Sequence, residues 1–283
     1  MIFKKIFYSP LVKILIGILA IVTTIAIGEV IREFVLSEIS ISQNWKNAIV
    51  GCIQIGLALS AYIFLFRYYE KRKIKELSIT GFWPNAFIGF ITGLSIQSLV
   101  ILILYLSRNY SITQINPVSF LIPGFISAIV AGFIMEIILR GIIFRITEEW
   151  LGTFIALLIS ASLFAIMHGR GENATILSAT ATTLQAGLLI SSAYIFSQNL
   201  WLPIFLHFSW DFAEPAIFGG INPGISVNET LFTGRITGPQ LLTGGEAGPG
   251  NSIQAAIFCL AAAAIFLWLA KRKDNFIKPF WMR

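Results

Sequence analysis

The chain carries two histidines, His168 and His207, and both stand in apolar stretches. His207 is followed at helical spacing by Asp211, and Glu136 by Arg140 in the same way. Residues four apart share a helix face, and an acid N-terminal to a base is the favourable order for an ion pair. An ionisable group at membrane depth costs roughly 2.5–3.5 kcal/mol on insertion scales unless it is paired or faces a wet cavity. Taken singly, Glu136 and Arg140 read as a structural ion pair, and His168 as a core histidine bonded to a neighbouring helix. Taken together, these groups in consecutive apolar stretches point to one shared polar site. Histidine and carboxylate without a clear nucleophile suit the activation of water, by a base or by a metal. The chain has no HExxH and no GxSxG, so neither a zincin nor a serine hydrolase is indicated.

The elements that must position these groups are membrane helices. The composition is 56% hydrophobic and 12% charged, with a mean hydropathy of +0.81. Apolar stretches of about 20 residues recur, each long enough for a hydrocarbon core of ~30 Å. Backbone groups cannot stay unpaired in lipid, so such stretches are helices or barrel strands. The lack of apolar/polar alternation excludes the barrel. The fold class is therefore all-α, a polytopic bundle of about eight transmembrane helices. The spans are expected near 11–36, 47–67, 84–106, 117–145, 151–168, 174–197, 200–217 and 253–270. The whole chain, 1–283, reads as a single membrane domain, with the chemistry-bearing core at 117–213 and a Gly/Pro-rich loop at 219–252 on the outer side.

The net charge of +6 does not indicate a nucleic-acid partner, because of where the charge lies. Lys4, Lys5 and Lys13 precede the first span, Arg67, Lys71, Arg72, Lys73 and Lys75 follow the second, and Lys271, Arg272 and Lys273 follow the eighth. These flanks fall on one side of an even number of spans. The positive-inside rule makes that side cytoplasmic, with both termini inside and the plasma membrane as the expected location. Membrane lipid is then an expected partner of the basic flanks. The lysines and apolar stretch at the start are read as an uncleaved first helix, since no small-residue cleavage site follows. Cys52 and Cys259 fall in spans and read as packing residues. Gln54, Gln97 and Gln185 are expected to bond between helices.

At the same residues the chain resembles the CPBP family, the CAAX proteases and bacteriocin-processing enzymes of membranes. One motif stands as Met135-Glu136-Ile-Ile-Leu-Arg140-Gly141, where the family carries a pair of glutamates, three residues and an arginine. Phe164 and His168 match an aromatic four residues before histidine, and His207 with Asp211, after Leu200-Trp-Leu-Pro203, matches the third motif. Gly244-Gly-Glu246 is similar to the family's C-terminal pattern. The resemblance implies an intramembrane endopeptidase acting on a peptide or protein in or near the membrane, CAAX-like in some relatives, with no cofactor. It implies that His168 helps to hold the attacking water, that His207 and Asp211 line the oxyanion site, and that Glu136 is the second glutamate, paired with Arg140.

Two departures matter. Met135 stands where the family has the first glutamate, the general base, and a thioether cannot take a proton from water. Neighbouring helix positions point about 100° apart, so Glu136 is expected to replace Met135 only by rotating the helix or giving up Arg140. Asp211 stands where relatives often carry Asn, and an ionised carboxylate only accepts hydrogen bonds; it would repel an oxyanion or serve as the base itself. Two other readings follow: a catalytically silent member that binds a peptide or confers bacteriocin immunity, and a zinc site built from His168, His207 and a carboxylate. Depth counted along the spans puts Glu136 mid-membrane, His168 toward the outer end and His207 nearer the inner end.

Overall fold

The computed structural model describes residues 8–168, 187–220 and 229–283. Five helical stretches are long and apolar enough to span a membrane: Pro10–Phe34, Gln43–Tyr68, Ile79–Leu106, Val118–Leu151 and Ile253–Arg272. We name the helices α1 (Pro10–Phe34), α2 (Gln43–Tyr68), α3 (Phe82–Leu106), α4 (Leu121–Glu136), α5 (Arg145–Leu151), α6 (Thr153–His168), α7 (Leu188–Ser197), α8 (Trp201–Phe212) and α9 (Ile253–Arg272). A π-helical segment, Ile137–Phe144, joins α4 to α5, and another, Ala213–Ile217, follows α8. The result is a helical membrane bundle. Five of the eight expected spans correspond to these long stretches, and the expected 151–168 and 200–217 correspond to α6 and to α8 with its π-helical continuation. Part of the expected sixth span, 174–186, lies outside the described residues.

Local sequence starts and stops these helices. Pro10 stands at the first position of α1, where its missing N–H costs nothing. The Ser252 hydroxyl accepts a hydrogen bond from the Ala255 N–H to cap α9. Gly152, at φ 83°, ends α5 where a Cβ would stand 2.9 Å from the Ile277 carbonyl oxygen, so only glycine fits. The outer face of α1 exposes Leu11, Leu15 and Leu19 at helical spacing. A stripe of this kind is costly in water and neutral in lipid.

The helical bundle carries one small sheet that hydropathy does not announce. Tyr110–Ile115 and Phe232–Ile236 pair as an antiparallel two-stranded sheet, which ties the segment after α3 to the Gly/Pro-rich loop. Both strands lie between apolar stretches, and their pairing spans more than a hundred residues, so no local signal announced it. Cys259 is buried in α9 as expected, whereas Cys52 is exposed on α2.

Helix α8 carries His207 and Asp211, two of the expected site residues. It packs on α3 and α4 through glycines that let backbones meet. A Cβ on Gly93 of α3 would stand 2.6 Å from the Leu206 carbonyl oxygen and 3.1 Å from the Trp210 nitrogen. One on Gly132 of α4 would stand 2.9 Å from the Ile204 carbonyl oxygen. Small residues serve this purpose at membrane helix interfaces. Gly93→Leu is expected to cost about 1–3 kcal/mol by overpacking and to push His207 off its partner. Unfolding in detergent, measured beside the unchanged protein, reads the first effect, and cleavage or ligand binding the second.

The start of α8 is held by the connection between α2 and α3. The Leu200 N–H donates to the Glu76 carbonyl at 2.8 Å, and the Trp201 indole donates to the Ser78 carbonyl at 3.1 Å. The Glu76 side chain is itself buried, accepting from the Tyr62 hydroxyl and from Arg72. Burial alone would raise the Glu76 carboxyl, but the Arg72 guanidinium and the Tyr62 hydroxyl outweigh it and hold the group below its ordinary 4.5. A depressed carboxylate stabilises the fold above its unfolded value, and that stability is lost as pH falls through the folded value. The thermal midpoint is therefore expected to drop below about pH 4.5, with less of a drop in Glu76→Gln, which lacks this proton linkage. Equal pH profiles for the two proteins would count against it.

Candidate active site

Glu136 is the last residue of α4, and the change to π-helical winding begins at Ile137. Such segments recur at functional sites because they shift side-chain register within a continuous helix. Glu136 Oε1 accepts from Arg140 Nη1 at 2.9 Å and lies 2.6 Å from His207 Nδ1. The other face of the ring meets the next carboxylate, with His207 Nε2 3.2 Å from Asp211 Oδ2. Arg140 Nη2 also donates to the Gly187 carbonyl at 3.1 Å and to Ser191 Oγ at 3.3 Å, tying the π-segment to α7. Four of the five expected site residues, Glu136, Arg140, His207 and Asp211, thus form one continuous chain of charges. His168 ends α6, and its side chain lies outside the described residues, as does Gln185.

Glu136 keeps Arg140 while it meets His207. One carboxylate oxygen serves both partners, because α8 brings His207 to Glu136. Met135 packs half-buried against the apolar core. The depth conflict also dissolves for Glu136 and His207. The stretch Val118–Leu151 has 34 residues, about 50 Å of helix against a core of ~30 Å. Depth counted from its ends therefore misplaces Glu136.

Glu136 and Arg140 are fully buried, and His207 and Asp211 are 3% and 8% exposed. A neutral imidazole donates from one nitrogen only. Facing carboxylates on both sides therefore takes an imidazolium, or a proton on one of the acids. With the ring protonated the four charges cancel; with it neutral the cluster carries one net negative charge. Glu136 Oε2 is buried without a hydrogen-bond partner among the described residues. An unsatisfied carboxylate oxygen is costly in such surroundings, about 1–3 kcal/mol or more. It is the atom best suited to bind a small polar group. Among the described residues no three His, Cys, Asp or Glu side chains are grouped to hold a metal. The zinc reading depends on His168, outside that set.

A further carboxylate escaped the sequence reading. Glu214, three residues past Asp211, is buried on the π-segment after α8. It accepts from the Gly250 N–H at 2.7 Å and from Gln97 Nε2 at 3.0 Å. It thereby joins the Gly-rich loop and α3 to the helix that bears His207. A Cβ on Gly250 would stand 2.6 Å from Glu214 Oε2, which is why the loop meets it with bare backbone. The rule that singles out intramembrane ionisable groups would have found it. Gln97 acts as the interhelical bond expected of it, and Gln54 likewise donates to the Ile25 carbonyl of α1.

Residues 117–213 match a family model described as Rce1-like, type II CAAX prenyl endopeptidase Rce1-like. The likeness to the CPBP family read from the motifs therefore holds over the residues that form this site. No curated protein and no solved structure matches the chain.

Proposed function

We propose that this chain, similar over residues 117–213 to type II CAAX prenyl endopeptidases, is an intramembrane endopeptidase that cleaves a membrane-associated peptide or CAAX-like protein. The observation that carries the reading is the buried relay Arg140–Glu136–His207–Asp211, built from two helices within the matching residues. No cofactor is invoked, and His168 is assigned to the attacking water together with Glu136. Arg140 and His207 both engage Glu136 Oε1, which leaves Oε2 for the water. In the proposed step Oε2 takes a proton as the water oxygen bonds to the substrate carbonyl carbon. The tetrahedral oxyanion is stabilised by His207 Nε2–H, whose contact to Asp211 is the longer of its two and the one a substrate oxygen displaces. The proton on Glu136 then passes to the leaving nitrogen as the C–N bond breaks. Glu136 thus supplies the base that Met135 cannot.

The protein is read as multi-pass in the plasma membrane with both termini cytoplasmic, the orientation favoured by its basic flanks. The second reading, a silent member that binds a peptide or confers immunity to a bacteriocin, draws on Met135 alone. Cleavage of fluorogenic membrane-proximal peptides, prenylated and not, distinguishes the two. The enzyme reading expects activity in the wild type and its loss in His207→Ala. An inactive wild type that gains cleavage in Met135→Glu would establish the silent reading instead.

A further inference from the structure

The connection after α2 builds a second site. Lys71, in a left-handed conformation at φ 56°, reverses the chain at the end of the helix. The segment that follows helps to line an open cavity of about 360 Å³, formed by Ile63, Arg67, Arg72, Lys73, Ile74 and Leu77. Its charge is not balanced. The nearby carboxylates are taken: Glu70 pairs with Lys13, Arg72 and Arg145, and Glu76 with Arg72. Arg67 and Lys73 are exposed and make no ion pair among the described residues. Two cations left over a wall of isoleucine and leucine complement a molecule with an anionic head and a hydrocarbon body.

The depth fits the same molecule. Arg67 lies in the last turn of a 26-residue apolar helix, with the exposed rings of Phe64 and Tyr68 beside it. Aromatic rings and basic residues at a span's end mark the headgroup level. Arg72, clamped by two carboxylates and in contact with the Tyr62 hydroxyl, gives the cavity a fixed wall. We propose that this cavity binds an anionic phospholipid, its phosphate between Arg67 and Lys73 and its first methylenes against Ile63, Ile74 and Leu77. The proposal rests on membrane embedding and is independent of proteolysis.

A basic flank attracts anionic lipid wherever its charges stand, so the test must separate the cavity from the flank. Delipidated full-length protein in detergent is titrated with dioleoylphosphatidylglycerol, and bound lipid is counted by native mass spectrometry. Saturable binding is expected, with none for dioleoylphosphatidylcholine. Arg67→Gln combined with Lys73→Gln is expected to weaken it about thirtyfold. Lys71→Asn combined with Lys75→Gln removes as many charges from the same segment, outside the cavity, and is expected to weaken it less than threefold. Asparagine is chosen at 71 because it tolerates the left-handed backbone. Equal losses in the two double variants would overturn the site in favour of diffuse attraction. Inorganic phosphate competing as strongly as the phospholipid would overturn the lipid identity, and so would displacement of the lipid by a polyglutamate peptide.

Discussion

Arg140→Met is expected to destabilise the protein by about 3–5 kcal/mol, the usual cost of removing one partner from a buried ion pair. Arg140 is fully buried, and it is the cation that compensates Glu136 within the bundle. Its loss strands a carboxylate between His207 and the apolar core, and removes the link from the π-segment to the Gly187 carbonyl. Arg140→Lys is expected to recover only part of the loss, since an ammonium lacks the planar fork that serves Glu136 and α7 together. The informative partner is the double variant Glu136→Met/Arg140→Met. Replacing a whole buried pair by apolar residues is often neutral or stabilising, so the double variant should unfold near the wild type. SDS or urea titration in mixed micelles measures all three. If the single variant is as stable as the wild type, Arg140 is not what neutralises Glu136.

How much of this was visible beforehand follows from the range over which each signal acts. The pairs Glu136/Arg140 and His207/Asp211 were legible because helical spacing is local, and both persist in the structure at 2.9 and 3.2 Å. The spans were legible because an apolar run is a property of the run itself. What joins the pairs was not. His207 reaches Glu136 across 71 residues, and the contact depends on Gly93 and Gly132 lowering α8 onto two other helices. In sequence those glycines look like any others in a membrane stretch. The π-segment at Ile137–Phe144 likewise leaves no mark on an already uniform apolar pattern. Glu214 is a different failure, because its charge in an apolar stretch was in plain view. It stands outside the three motifs that carry the family resemblance.

In the proposed mechanism those long-range contacts put the base at Glu136. Glu136→Gln is expected to lower the cleavage rate by about 10²–10⁴, the usual worth of general-base help, with little change in peptide binding. The amide keeps the shape and can still accept from Arg140 Nη1, but it cannot take a proton from water. It also leaves Arg140 without its anion, so a fall in rate alone is ambiguous. The double variant Glu136→Met/Arg140→Met resolves this: if Glu136 is the base, it restores stability and leaves cleavage absent. If Glu136 serves only to neutralise Arg140, cleavage returns with the fold. Met135→Glu adds the opposite probe, since a carboxylate beside Glu136 offers a second base. A chain already using Glu136 should gain little from it, whereas a silenced one should gain cleavage outright. Wild-type turnover lost in Glu136→Gln and not regained in the double variant would establish that the register after α4 has shifted the base by one residue.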